Sequence, residues 1–402
     1  DPTNADVVYG GSEGWYVTRD GGATWTRQST PHGDNHDIWL DPTNPDRMMV
    51  AHDGCASITL NHGESFQRVV LPIAQMYHVS VDDQIPYNVY GNRQDGYSYK
   101  GPSNSRQGYI PLGLWKGVGG CESGFAQPDP FDNDFVWSGC YDGGLERYNA
   151  RTGHARDVRV WPEAGYGWEP GKLKYRWHWN FPLAFSPHTR HRVYVGSQFV
   201  HKSDDGGQSW QVISPDLTRN EKSRQQASGG PITKDNTSVE YFGTIFAVAE
   251  SRQEADVIWT GSDDGLLHVT RDGGATWTEV TPRGLPRDAQ VNSIEAHPFE
   301  AGGLYVAATA YKLDDFQPYL FKTTDYGRSW KAIVRGIPDD EFTRVIRADA
   351  ERPGLLYAGT ERGVWYSIDD GAHWRRLQLD LPVVPVTDLA VRNGHRAAAT
   401  QG

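Results

Sequence analysis

The ten residues 17–26, Val-Thr-Arg-Asp-Gly-Gly-Ala-Thr-Trp-Thr, return unchanged at 269–278. Looser copies stand at 203–210, 323–330 and 367–374. A sixth, at 59–66, keeps the frame with Asn61 for Asp and Phe66 for Trp. The shared pattern, Ser/Thr-x-Asp-x-Gly-x-x-Trp, reads as a turn. A short carboxylate or amide accepts backbone N–H groups just after it. The glycine supplies the positive φ that closes a hairpin. The tryptophan opens the next strand. Asp20, Asn61, Asp205, Asp272, Asp325 and Asp369 thus have a local structural task, which makes them poor candidates for chemistry.

A unit recurring every roughly 40 to 60 residues means a propeller or a solenoid. Each unit holds four strand-like pieces, A to D. In the clearest copy, A is 291–296, B is 304–308, C is 319–323 and D is 329–334. The B piece, β-branched and aromatic, recurs at 7–10, 48–51, 88–91, 135–138, 193–196, 257–260, 304–307 and 355–358. Two copies lack the turn pattern downstream, where 101–104 and 149–153 replace it. The expected fold is an all-β propeller of four-stranded antiparallel blades, eight by this count, with seven as the alternative. The whole of 1–402 reads as one propeller domain.

Residues 1–4 match 41–44, the turn between A and B, so the first blade begins without its A. A late A at 386–391 is expected to complete that blade and close the ring. A further B at 396–400 suggests a longer chain. Two segments exceed what blades need: 162–179, rich in Trp, Tyr, Gly and Lys, and the polar 218–240. Loops of that length are often functional.

The turn pattern resembles the Asp-box, or BNR repeat, of sialidases, xyloglucanases and the sortilin N-terminal domain. The segments 180–187 and 242–247 are similar to bacterial sortilin-like Asp-box proteins often called glycosyl hydrolases. The resemblance covers nearly the whole chain and implies architecture more than activity, because the family mixes hydrolases with receptors and assembly factors. A sialidase is disfavoured: the arginines are scattered, and 335–338 is Arg-Gly-Ile-Pro rather than Arg-Ile-Pro. The resemblance to xyloglucanases implies a cleft between two facing propellers, of which one ring supplies half.

In a propeller the A strands line a central channel, and their starts share one mouth with the B–C loops. Those loops carry Glu13, Asp53, Asp95, Asp142, Asp263, Asp264 and Glu361. Asp-Gly there is ordinary hairpin chemistry. Alternatively, a rim of carboxylates binds hydroxyls or supplies paired acids for glycoside hydrolysis, with Asp95, Asp142, Asp53 and Glu122 as the candidates. The A starts add aromatics, and Tyr77, Trp177, Trp179 and Tyr241, with Asp263 and Glu361, are the expected ligand-binding set. His36, His52 and His78 allow a three-histidine metal site, against the plainer reading of isolated polar histidines. Cys121 and Cys140 fall on antiparallel neighbours and are expected within bridging range, whereas Cys55 has no obvious partner.

The formal charge of −12 argues against nucleic acid as partner. No apolar run reaches a membrane span. No cofactor is implied, and no leader segment is visible. The expected function is a secreted, periplasmic or cell-surface binding or scaffold module that takes a glycan, peptide or partner protein at the mouth. A glycoside hydrolase with paired carboxylates and a structural subunit of a larger assembly are the alternatives.

Overall fold

The computed structural model describes every residue except Pro31, Pro72, Glu240, Asn393 and Gly402. Glu240, the last residue of the second insert, thus lies outside the described residues. The chain divides into two compact units, Asp1–Ile73 and Ala74–Gly402. Among the described residues nine antiparallel sheets form, seven of them four-stranded in the order A-B-C-D. The fold is an all-β propeller.

The first unit holds a three-stranded sheet, Val8–Gly11, Trp15–Thr18 and Thr26–Gln28, which has B, C and D and no A. A complete sheet follows, from Asn35–Leu40 to Gln67–Val69. Phe66 meets Trp15 edge-on at 6.2 Å.

In the second unit successive sheets stack through their inner strands. Trp259 and Leu267 of one sheet pack with Val291, Leu304 and Val306 of the next. Strand Leu304–Ala310 is buried at every position, because a B strand has a neighbouring sheet on each face. The outer pair Lys331–Ala332 is exposed. This gradient explains why B was the most legible strand: it is apolar at consecutive positions in sheet after sheet.

The late strand Val386–Arg392 does not join the first sheet. It pairs with His395–Thr400. Its Thr387 hydroxyl donates to the Met76 carbonyl at 2.7 Å, and the Met76 N–H donates to Thr400 at 3.0 Å. The second unit therefore closes on its own first strands. A hairpin of adjacent residues forms at far lower loop-closure cost than pairing with a strand almost 400 residues away.

The repeated turns have one geometry. Asp272 accepts the Thr276 N–H at 2.8 Å, the Thr276 hydroxyl at 2.6 Å and the Thr270 hydroxyl at 2.7 Å. The Thr270 hydroxyl in turn accepts the Gly274 N–H at 2.9 Å. Asp20, Asp205 and Asp325 repeat this set, and these bonds hold all four carboxylates down at about 2. Asp369 uses His373 in place of the hydroxyl, and Asn61 uses Ser65.

The tryptophan does more than open a strand. Trp210, Trp277 and Trp330 donate their indole N–H to the carbonyls of Val158, Ile213 and Val280 in the preceding sheet, at 2.8, 2.8 and 2.7 Å. Trp374 donates likewise to Ile333 at 2.5 Å. The turn glycine closes against the same residue: a Cβ on Gly274 (φ +105°) would lie 2.4 Å from the Ile213 carbonyl oxygen, and one on Gly327 2.5 Å from Val280. These four turns are therefore staples between sheets as well as bends within one. Trp25, in the first sheet, remains 48% exposed, and a Cβ on Gly22 would meet nothing within 4 Å.

Candidate functional site: an aromatic and carboxylate mouth

B–C loops lie at the end of each sheet opposite the stapled turns. At that end three sheets of the second unit contribute to one cluster. The Trp179 indole N–H donates to the Tyr77 hydroxyl at 3.1 Å, and that hydroxyl donates to Gln94. Trp179 also stacks on Tyr141, centroids 5.1 Å apart and 18° from parallel. The Glu122 carboxylate accepts the Asp95 N–H at 2.7 Å. Tyr141 and Asp95 are exposed, and Tyr77, Glu122 and Trp179 half-buried.

Local structure fixes each part. Asp95 and Asp142 both sit in left-handed backbone, φ +54° and +58°, at the corner of a B–C hairpin. Their turn reading is thus satisfied, and the turn aims Gln94 and Tyr141 at the cluster. Cys121 and Cys140 form a disulfide with Cα atoms 4.9 Å apart, which ties the residue before Glu122 to the residue before Tyr141. Burial raises the Glu122 pKa. The Asp95 N–H opposes that rise and the Asp95 charge adds to it. Burial likewise raises the Tyr77 phenol.

His178 lies where inner strands converge. Its ring meets Phe246 edge-on at 4.6 Å, and its Nδ1 accepts the Asn180 N–H at 3.0 Å. Loss of water pulls its pKa down to about 3, and the charges of Lys312 and His78 act in the same direction. It is a neutral imidazole at physiological pH. His78 bonds to Asp388 at 3.2 Å and stacks on Phe125 at 3.7 Å. Asp388 is buried, which raises its pKa, but Arg347 at 2.6 Å, His78 and the Leu389 N–H together outweigh burial and lower it.

Several expected ligand residues are interior. Trp177 is 5% exposed and packs with Phe181 and His201. Residues 177–179 form no strand, so strict alternation between the two tryptophans does not apply. Tyr241 is 4% exposed and donates to the Gly165 carbonyl at 2.8 Å, anchoring the first insert. Asp263, also buried, accepts Gly243, Thr244 and the Thr244 hydroxyl at 3.0, 2.8 and 2.7 Å. Burial nevertheless pushes its pKa up to about 7. Its task is to hold the start of an A strand. Asp264 accepts the Arg219 N–H at 2.7 Å and pins the second insert. Glu361 is half-exposed, and its Oε2 accepts the Arg344 Nε–H at 2.8 Å and lies 2.7 Å from Arg344 Nη2.

The three histidines are each occupied. His36 pairs with Asp53, His52 bonds to the Ser57 hydroxyl at 2.7 Å, and His78 holds Asp388. Among the described residues no three His, Cys, Asp or Glu side chains converge on a metal-sized site. Glu13 is exposed in the first unit.

Sequence reasoning missed Tyr141 and Gln94, although both flank Asp-Gly turns. It also missed Arg176, 4% exposed, which spans the Gly243 carbonyl, Asp216 and Thr218 at 3.0 to 3.1 Å. An arginine between aromatics on a buried segment was the available signal.

No protein-family profile matches the chain. A Paenibacillus xyloglucanase is 28% identical over 171 residues, covering 39% of this chain and 15% of that protein. The chain thus spans about one-seventh of the length of the curated relative it matches. Among solved structures, U3-55K superposes with a TM-score of 0.52 at 13% identity, over 83% of this chain and 91% of that one. The extracellular domain assigned to a hybrid two-component system of B. thetaiotaomicron gives 0.50 at 12% identity, over 83% of this chain and 38% of that one. The chain is similar to these proteins in its propeller fold. No helix among the described residues is long and apolar enough to cross a membrane.

Proposed function

We propose that this chain is an exported Asp-box propeller that binds a neutral glycan at the mouth formed by Tyr77, Tyr141 and Trp179. The observation that carries this is the Tyr141–Trp179 stack, joined by hydrogen bonds to Tyr77 and Gln94, beside the Glu122 carboxyl. Flat rings cover the apolar faces of sugars, and the amide and carboxylates take the hydroxyls. The disulfide supports an oxidising compartment. The similarity to a xyloglucanase supports plant-type polysaccharides as the first ligands to try.

Calorimetric titration with xyloglucan, cello-oligosaccharides, chito-oligosaccharides and polygalacturonate tests this reading. Binding of a neutral glycan, weakened about tenfold in Trp179→Ala, is expected. No binding in the panel, or binding indifferent to Trp179, contradicts it.

A hydrolase is the second reading. Glu122, raised by burial, accepts the backbone N–H of Asp95, whose side chain is exposed, and the two carboxyl groups suit a general acid beside a second acid. Release of reducing sugar that falls at least a hundredfold in Glu122→Gln would support it. Unchanged or absent turnover would leave a binding module.

A further inference from the structure

Joints between sheets follow one rule in the second unit. The leading face of a sheet, which meets the sheet before it, offers the turn tryptophan, and the trailing face offers the carbonyl just after the D strand. The turn glycine touches the same acceptor residue: a Cβ on Gly207 would lie 2.8 Å from Val158 and one on Gly371 2.8 Å from Ile333. Residues of the B strand alternate between the two faces. Ile258, Leu304 and Leu356, each opposite the first residue of a turn pattern, face backward. Trp259, Tyr305 and Tyr357, one residue on, face forward into the next sheet. All six are buried.

The first unit leaves one face of each kind open. Val8, opposite Thr18, holds the backward register of the first sheet and is 42% exposed. Trp25 lies on that face too, since a Cβ on Gly10, two residues from Val8, would be 3.6 Å from its ring. Met49 holds the forward register of the second sheet and is also 42% exposed, in one row with Trp39 and Ile58. Val70 follows the D strand Gln67–Val69, the place from which Val158, Ile213, Val280 and Ile333 accept an indole, and it is 79% exposed. The faces between these two sheets are covered: Met48 is buried, and Tyr9 packs on Trp15 and His62.

One two-sheet unit thus carries a tryptophan without its acceptor and an acceptor position without its tryptophan, in the register that joins sheets elsewhere. We propose that these two faces meet between copies of this chain, with Trp25 of one copy stapled onto the Val70 carbonyl of the next and Val8 set against Met49. The occupant is a second copy because this chain itself supplies both halves of the joint. Apolar surface left open in this way marks association. The two faces differ, so the contact runs head to tail, and a dimer still bears one free face of each kind. The joint does not depend on what the mouth binds.

Sedimentation velocity of the full chain from about 1 to about 100 μM tests this. The expected result is a mass that grows with concentration past the dimer. Trp25→Ala and Met49→Glu, both at exposed positions, should each keep the parent's melting temperature and raise the concentration needed for association at least about tenfold. Mixed together, the two variants should form one-to-one dimers and nothing larger, because each retains the face that the other has lost. A chain that stays monomeric throughout overturns the proposal and leaves the two faces to sheets of another polypeptide. Association that stops at a dimer, survives both substitutions or fails to return on mixing overturns it as well.

Discussion

The stapled turns and the mouth use the same residue types to opposite ends. At the turns, Asp20, Asp205, Asp272 and Asp325 are satisfied by hydroxyls and N–H groups two to four residues away and held at about 2. At the mouth end, Glu122 and Asp263 sit in surroundings that burial makes unfavourable for charge, and both are raised. The tryptophans divide in the same way. Trp277 and Trp330 spend their indole N–H on a backbone carbonyl, whereas Trp179 spends its own on a tyrosine hydroxyl beside an exposed ring. Repetition therefore marks scaffold, and departure from repetition marks where recognition is sought.

That contrast is broken most forcefully at a staple. Trp330→Ala removes a ring wedged between sheets and its bond to Val280, and should cost about 3 kcal/mol or more in denaturant unfolding with glycan affinity unchanged. Reducing the Cys121–Cys140 disulfide releases a loop of 19 residues' separation and should cost about 3 kcal/mol in the same assay. It should also weaken binding, because that bond places Glu122 and Tyr141. Trp179→Ala should do the reverse of the staple variant, lowering affinity about tenfold with the melting temperature nearly unmoved.

A further effect is read in pH. Asp263, pushed up to about 7, keeps its proton in the folded chain where the unfolded carboxyl has lost it. The folded state then binds more protons between roughly pH 4 and 7, and stability falls as pH rises through that window, by at most about 1.4 kcal/mol per unit. The turn carboxylates, lowered to about 2, act oppositely: their contribution is complete above roughly pH 4 and lost as pH falls toward 2. Unfolding across pH 2 to 8 should thus show both limbs, and Asp263→Asn should flatten only the upper one.

Much of the fold could be read from the chain because a propeller repeats its rules. The eight B strands, the six turns, the missing first A and the neighbouring cysteines are all local or periodic signals. Ring closure was not legible, since Val386–Arg392 fits any B strand and only proximity selects His395–Thr400. The indole bond to the preceding sheet was also hidden, because pattern shows spacing along a chain and not what lies across it. At the mouth, sequence placed Tyr77, Glu122 and Trp179 at A starts and Asp95 in a B–C loop, and the structure brings them together. It erred on Trp177, Tyr241 and Asp263, where a channel-side position proved to be interior. Burial there depends on the inserts, whose path no period predicts.

The most direct test is hydrogen–deuterium exchange of the full chain with and without a saturating neutral oligosaccharide. Protection confined to 77, 94–96, 121–123, 141–143 and 177–179 is the predicted result. Protection at 203–210, 270–277 and 323–330, with the mouth unchanged, would contradict the account.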